Sequence, residues 1–266
     1  MDSVTQPLLQ TAANGLCYYQ HPDWAHLKHG IFTRHGGVSA APWASLNLGG
    51  TVGDTTAAVR ANHEKMYSTL GVNSARALTT WQVHGADVIV AQQPLPGRRW
   101  LAQADGMVTD RPDTPLVMRF ADCTPLLLHD PRCGVIGIAH AGWRGTVQGI
   151  GANMIRTMQQ MYGSQPIDIQ AWIGPTISPA CFQVGEEVVA AVQQYFGTRE
   201  GLVRRDSMDG TAYVDLWAAN MLDLQRMGVE QITVLPICTM QNTQDFFSHR
   251  GEKGRTGRFG AVIALP

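Results

Sequence analysis

The chain has 266 residues, of which 44% are hydrophobic and 15% charged, so it can bury a sizeable core without disulfides and is not a disordered chain. Lys and Arg number 20 against 21 Asp and Glu, a formal net charge of −1, which excludes the broad positive field that general nucleic-acid binding needs. No basic segment followed by an apolar run opens the chain and no apolar stretch approaches ~18 residues, so neither a secretory signal nor a membrane span is expected.

In chain order, a helix is predicted over 57–70, then strands over 77–83 and 87–91. Proline and glycine mark loops at 94–99 and 110–115. Strands follow over 116–120 and 134–140. A helix over 146–162 carries Val147, Ile150, Met154, Met158 and Met161 on one stripe. A strand over 167–173, helices over 186–196 and 214–227, and strands over 231–237 and 261–265 complete the set. Strands and helices are mixed rather than strictly alternating, which predicts an α+β fold with mixed sheets. Neither loop is long enough to link domains, so one domain over 1–266 is expected. No nucleotide-binding glycine fingerprint of either standard type occurs. The five cysteines, Cys17, Cys123, Cys133, Cys181 and Cys238, are odd in number and form no C-x-x-C, which points to a reducing cytoplasm.

Three segments carry candidate chemistry: TTWQVHGADV with His84, MRFADCTPLLL with Asp122 and Cys123, and GVIGIAHAGWRGT with His140. In each, an apolar strand delivers a soft or borderline donor at its end. Neutral imidazole and thiolate suit Zn²⁺, and three protein ligands leave one position open, as in catalytic sites. The spacing of the three matches no compact zinc-finger pattern. On residues alone, Cys123 can equally be a small buried hydrophobe and the histidines satisfied core groups. A rival mechanism uses the same atoms, with Cys123 as nucleophile, His140 as base and Asp122 as orienting group.

The glycine-rich turn AGWRG leads into a helix, where free N–H groups and Arg144 suit an anion; an ordinary strand-to-helix turn reads the same way. A basic cluster of His249, Arg250, Lys253, Arg255 and Arg258 is either a solvated hairpin loop or a clamp for an anionic substrate group. Arg34 and Asn47 sit among turn glycines in FTRHGGVS and SLNLGG. His63 and His129 read as ordinary surface or strand-edge histidines.

Taken together, TRHGGVS, SLNLGG, WQVHGADV, ADCTPLLL, GIAHAGWRGTVQGI, WIGPTISPACFQVG, FFSHR and TGRFGAVIALP resemble the YfiH-like family. That family is also known as the laccase-domain or polyphenol oxidase family, and as purine nucleoside phosphorylase. The motifs run in order from Thr33 to Pro266 and leave the first 25 residues peripheral. The resemblance implies a single α+β domain of layered sheets and helices. It implies a metal, usually zinc with copper possible, on His84, Cys123 and His140. It implies phosphorolysis of adenosine, inosine or methylthioadenosine with inorganic phosphate, and deamination of adenosine. Copper-dependent phenol oxidation and peptidoglycan-precursor editing are also attached to the family. Asp122 is then a candidate acid/base or sugar-cation partner, and Arg34, Asn47, Arg144, Ser248 and Arg250 are candidate substrate contacts. The alternatives are a metal-free cysteine hydrolase on Cys123 and His140, and a non-catalytic scaffold with a vestigial metal site. Laccase chemistry is the poorer fit, because the nine histidines include no H-x-H or H-C-H.

Overall fold

The computed structural model describes residues 7–93, 100–198 and 201–266; the loop expected at 94–99 lies outside them. Among the described residues, fourteen strands form three sheets. In chain order they are β1 (Leu8–Thr11), β2 (Cys17–Gln20), β3 (Lys28–Phe32), β4 (Val88–Val90), β5 (Gly106–Thr109), β6 (Leu116–Phe120) and β7 (Thr124–Asp130). Then follow β8 (Val135–Ala141), β9 (Gln170–Ile173), β10 (Gln183–Val184), β11 (Val203–Arg205), β12 (Ala212–Val214), β13 (Gln231–Val234) and β14 (Phe259–Ala264). The helices are α1 (Thr56–Leu70), α2 (Trp143–Thr146), α3 (Ile150–Tyr162), α4 (Glu186–Phe196) and α5 (Leu216–Arg226).

An antiparallel sheet of order β1-β2-β3-β14-β6 packs against a mixed sheet of order β13-β9-β7-β8-β5-β4. The side-chain alternation of each strand builds the layers. On β7, Leu127 faces the space between the sheets, whereas Leu126 and Leu128 face α3 and α5. On β14, Ala261 and Ile263 face the intersheet core, whereas Val262 meets Met66 and Tyr67 of α1. The result is helix, sheet, sheet, helix. This is the layered α+β single domain that the sequence predicts. A small sheet β10-β12-β11 and α4 form a satellite cluster around Val188, Val192 and Phe196.

Several elements differ from expectation. Segment 77–83 is extended but forms only isolated bridges at Leu78 and Trp81, because it threads between two partners instead of pairing along one. The helix expected over 146–162 is broken at Gly149, whose φ of 77° is left-handed and whose missing Cβ makes room for the Tyr195 hydroxyl. The expected stripe loses Met161, which is 54% exposed. Residues 7–25, expected to be peripheral with the rest of the N-terminal segment, are not: β1 and β2 extend the first sheet, and Trp24 is fully buried between the sheets. Loop 110–115 stands as expected, with one bridge from Pro112 to Leu265.

Candidate metal centre and active site

The chain crosses from the first large sheet to the second between β6 and β7. Asp122 turns this corner with φ 80°, a left-handed conformation uncommon outside glycine, and Cys123 follows it. His140 lies near the end of β8, buried. His84 sits in the turn before β4, with φ 61°. One ligand atom from each of His84, Cys123 and His140 falls within 4.8 Å of the others. Among the described residues this is the one such group of three or more histidine, cysteine or acidic side chains.

Asp105, immediately before β5 and fully buried, holds the group together. Its carboxylate accepts the backbone N–H groups of Val83 (3.0 Å), His84 (3.0 Å) and Gly85 (2.8 Å). It also accepts from His140 Nδ1 at 2.8 Å, while the His140 N–H bonds the Asp105 carbonyl at 2.8 Å. The protonated Nδ1 leaves His140 Nε2 as the ligating nitrogen. Burial opposes ionisation of Cys123, but the charges and hydrogen bonds of His140 and His84 overcome it and bring the thiol down to about 6. Burial likewise opposes the charge on His140, but Cys123 and Asp105 raise it to about 9. Gly142 closes the cradle: a Cβ there would lie 2.9 Å from Cys123 Sγ and 3.3 Å from His84 Cδ2. Two imidazoles, a thiolate, a carboxylate behind one imidazole and a glycine floor fit a bound metal ion.

The group opens into a cavity of about 1060 Å³, at the upper end of ligand-sized pockets. Trp81, Trp143, Phe182, His63, Arg119, His249, Arg250 and Arg258 line it with His84, Asp122, Cys123 and His140. Trp81 and Trp100 meet edge to face at its rim, 4.3 Å between ring centroids. His63 is therefore a cavity residue rather than an ordinary surface histidine. His129 is buried in β7 beside Trp24 and His26, not at a strand edge.

The other expected site residues divide. Arg250 lines the cavity, stacks over Phe182 and donates to the Gln183 carbonyl. Arg144 stacks over Trp143 and lines a neighbouring cavity of about 510 Å³ that Arg250 also borders. The helix at AGWRG is the single turn α2, too short for a substantial dipole at its N-terminus. Asp122 borders the cavity, but its carboxylate is held by Thr239 Oγ1 (2.6 Å) and the Arg250 N–H (2.7 Å), so Asp105 rather than Asp122 orients His140.

Arg34, Asn47 and Ser248 are not among the cavity-lining residues. Arg34 bonds the carbonyls of Ala44 and Thr243 and pairs with Glu252 while stacked on Phe247. Asn47 is fully buried and bonds Gly49, Asp54 and the Arg258 N–H. Ser248 is fully buried and accepts the Gly251 N–H. These three brace the loops around the cavity. Asp105 and Arg119 were missed from sequence: Asp105 stands before a glycine and reads as a turn, and Arg119 lies inside the MRFADCTPLLL segment as a single charge in an apolar strand.

A family model described as multi-copper polyphenol oxidoreductase laccase matches residues 28–266. A Geobacillus stearothermophilus protein named purine nucleoside phosphorylase YlmD is 36% identical over 264 residues, covering 96% of both chains. A Deinococcus radiodurans protein named purine nucleoside phosphorylase is 40% identical, over 96% of this chain and 95% of that one. The crystal structure of YlmD from Geobacillus stearothermophilus superposes with a TM-score of 0.91 at 35% identity, over 97% of this chain and 99% of that one. That of the Bacillus licheniformis hypothetical protein YfiH gives 0.89 at 31% identity, over 97% and 99%. Fold, motifs and relatives together place the chain in the YfiH-like family of laccase-domain proteins.

Proposed function

We propose that the protein is a metal-dependent purine nucleoside phosphorylase acting on adenosine, inosine or methylthioadenosine with inorganic phosphate. The observation that carries this reading is the convergence of His84, Cys123 and His140 on one ligand-sized cavity lined by aromatic and cationic side chains. The names of the relatives support it. Held by these three residues, a zinc ion would supply a Lewis acid at the cavity; copper accepts the same donors. In phosphorolysis the C1′–N9 bond breaks and a bond forms between C1′ and a phosphate oxygen. The proton of the monohydrogen phosphate passes to the departing purine, leaving ribose 1-phosphate. Trp81, Trp143 and Phe182 offer faces for the base. The negative charge of Asp122 stabilises positive charge developing on the sugar. Arg144 and Arg250 are candidate contacts for anionic or hydroxyl groups at the neighbouring cavity.

Deamination of adenosine is the second reaction in this reading. The H-x-E and P-C-x-x-C pattern of zinc deaminases is absent from the sequence, so the proton carrier would differ. Multicopper oxidation is disfavoured, since several coppers need several ligand groups and one group is present among the described residues. A cytoplasmic setting accords with five free cysteines; among the described residues no helix is long and apolar enough to cross a membrane.

Incubating the purified protein with inosine, with and without phosphate, tests the reading. Phosphate-dependent release of hypoxanthine and ribose 1-phosphate is expected. Equal release without phosphate, or none, would overturn it.

One observation favours a second reading. Cys123, His140 and Asp105 stand in the order nucleophile, base, orienting carboxylate, with the thiol brought down to about 6. A metal-free cysteine hydrolase, for instance on a peptidoglycan precursor, would use this arrangement. Rapid alkylation of Cys123 in the protein as purified would favour it, whereas alkylation only after chelation would exclude it.

A further inference from the structure

Two arginines far apart in sequence share the cavity wall, where neighbouring strands pair Arg119 with Gly260, two residues past Arg258. Arg119, on β6, donates from Nη1 to Thr79 Oγ1 (2.9 Å) and from Nη2 to the Thr80 carbonyl (2.8 Å). Arg258 donates from Nη1 to the carbonyls of Thr256 (3.3 Å) and Gly257 (2.8 Å). All four acceptors are neutral. Among the described residues neither guanidinium forms a salt bridge, unlike Arg34, Arg132 and Arg205. Burial works against the charge of both, and the like charge of Arg258 adds to that effect at Arg119. The negative groups acting on Arg258 are Cys123 and Asp122, and the Asp122 carboxylate is already held by Thr239 and the Arg250 N–H.

A guanidinium has five N–H donors, so each arginine retains donors with no acceptor among the described residues. Two partly desolvated cations of like sign, hydrogen-bonded only to neutral acceptors, favour an anion joining them. The scaffold fixes both. Gln82 bonds the backbone N–H and carbonyl of Arg119 at 3.1 and 2.7 Å. Asn47 Oδ1 accepts the Arg258 N–H at 2.9 Å. Gly49 lets the Arg258 stem lie against its loop, since a Cβ there would stand 2.7 Å from Arg258 Cγ. Arg250 and Arg144, by contrast, are stacked on Phe182 and Trp143 and border the neighbouring cavity.

We propose that Arg119 and Arg258 form a site for a tetrahedral oxyanion, and that its occupant is free inorganic phosphate. The identity of the anion as co-substrate rests on the phosphorylase reading; the anion site itself does not. The same chemistry could come from the 5′-phosphate of a nucleotide, so both ligands are tested.

The experiment is calorimetric titration of the full-length, metal-loaded protein with inorganic phosphate, with inosine and with inosine 5′-monophosphate. Arg258→Gln and Arg119→Gln should weaken phosphate binding by about 10- to 100-fold, the range for loss of a charge-assisted hydrogen bond. Inosine binding and metal content should stay near those of the unaltered protein. Gly49→Ala keeps both charges but displaces Arg258, and should also weaken phosphate, which keeps the test decisive if an arginine variant fails to fold. No phosphate binding by the unaltered protein, or unchanged binding in the variants, would overturn the site. Loss of nucleotide binding alone, with phosphate binding intact, would overturn its assignment to free phosphate. Phosphate binding lost in the variants, in a protein that cleaves no nucleoside, would leave the site standing and sink the phosphorylase reading.

Discussion

The Asp105 carboxylate lies 2.8 Å from His140 Nδ1 and at the same time accepts the N–H groups of Val83, His84 and Gly85. One fully buried side chain therefore sets both the ring orientation of one candidate ligand and the strained turn that presents another. Replacing Asp105 with Ala leaves four donors without their acceptor. Loss of one member of a buried ion pair costs about 3–5 kcal/mol, and loss of a carboxylate behind a metal-binding histidine costs about 10- to 100-fold in affinity. Chelator competition and urea unfolding should show both losses. Unchanged metal affinity in Asp105→Ala would contradict this role.

Gly142 allows a sharper test of the cradle. Its φ of −73° and ψ of 168° are open to any residue, so Gly142→Ala introduces no backbone strain. Its new Cβ would press on Cys123 Sγ at 2.9 Å. Metal affinity should fall at least ~10-fold, as for a disturbed supporting contact, while the melting temperature of the metal-free protein changes little. Equal affinity would show that the space in front of Gly142 is not needed.

The Cys123–His140 pair predicts proton release on metal binding. Without metal, the pair is thiolate and imidazolium between about pH 6 and about pH 9. A metal needs the thiolate and a neutral His140, so binding in this window should release about one proton. Below about pH 6 the thiol is also protonated, a second proton is released and affinity falls more steeply. Zinc titrations in buffers of different ionisation enthalpy measure the number directly. Zero protons at pH 7.5 would contradict the pairing.

A second histidine cluster predicts acid sensitivity of the fold. Burial first of all lowers His29 and His129 to about 4, and lowers His21 as well. His29 accepts the His21 N–H at 2.8 Å and packs edge-on to Trp24 and Trp172, which suits a neutral ring. His29 and His129 titrate near 6.5 when unfolded, so the unfolded chain binds more protons between about pH 6.5 and 4. Their contribution is complete above this window and is lost as pH falls through it, by about 1.4 kcal/mol per pH unit for each histidine within it. Urea midpoints should drop between pH 7 and pH 5. A flat profile would contradict neutral burial.

Much of this was legible in the chain. Helix 186–196 and strand 116–120 have the bounds expected, because an uninterrupted helical period and a short run of large apolar residues define them. β7 was missed since both its faces are buried, so TPLLLHD shows no alternation and carries a proline at its second position. β1 and β2 were missed because a four-residue edge strand and its four-residue neighbour, both partly exposed, carry weak patterns. His84, Cys123 and His140 could be picked out because soft donors at strand ends are rare in a chain this apolar. Asp105 could not, since a single acid before glycine looks like a turn, and only the fold places it behind His140. Arg34 and Asn47 drew attention for the opposite reason, as polar residues among turn glycines, and Ser248 through the family resemblance, yet all three satisfy the loop backbone itself.

The most direct test is metal content by mass spectrometry, on protein purified without added metal and on Cys123→Ala, with phosphate-dependent inosine cleavage measured on the same samples. About one zinc or copper per chain, lost together with turnover in a variant that still folds, is the predicted result. No metal in either protein, or full turnover in the metal-free variant, would contradict a catalytic metal on His84, Cys123 and His140.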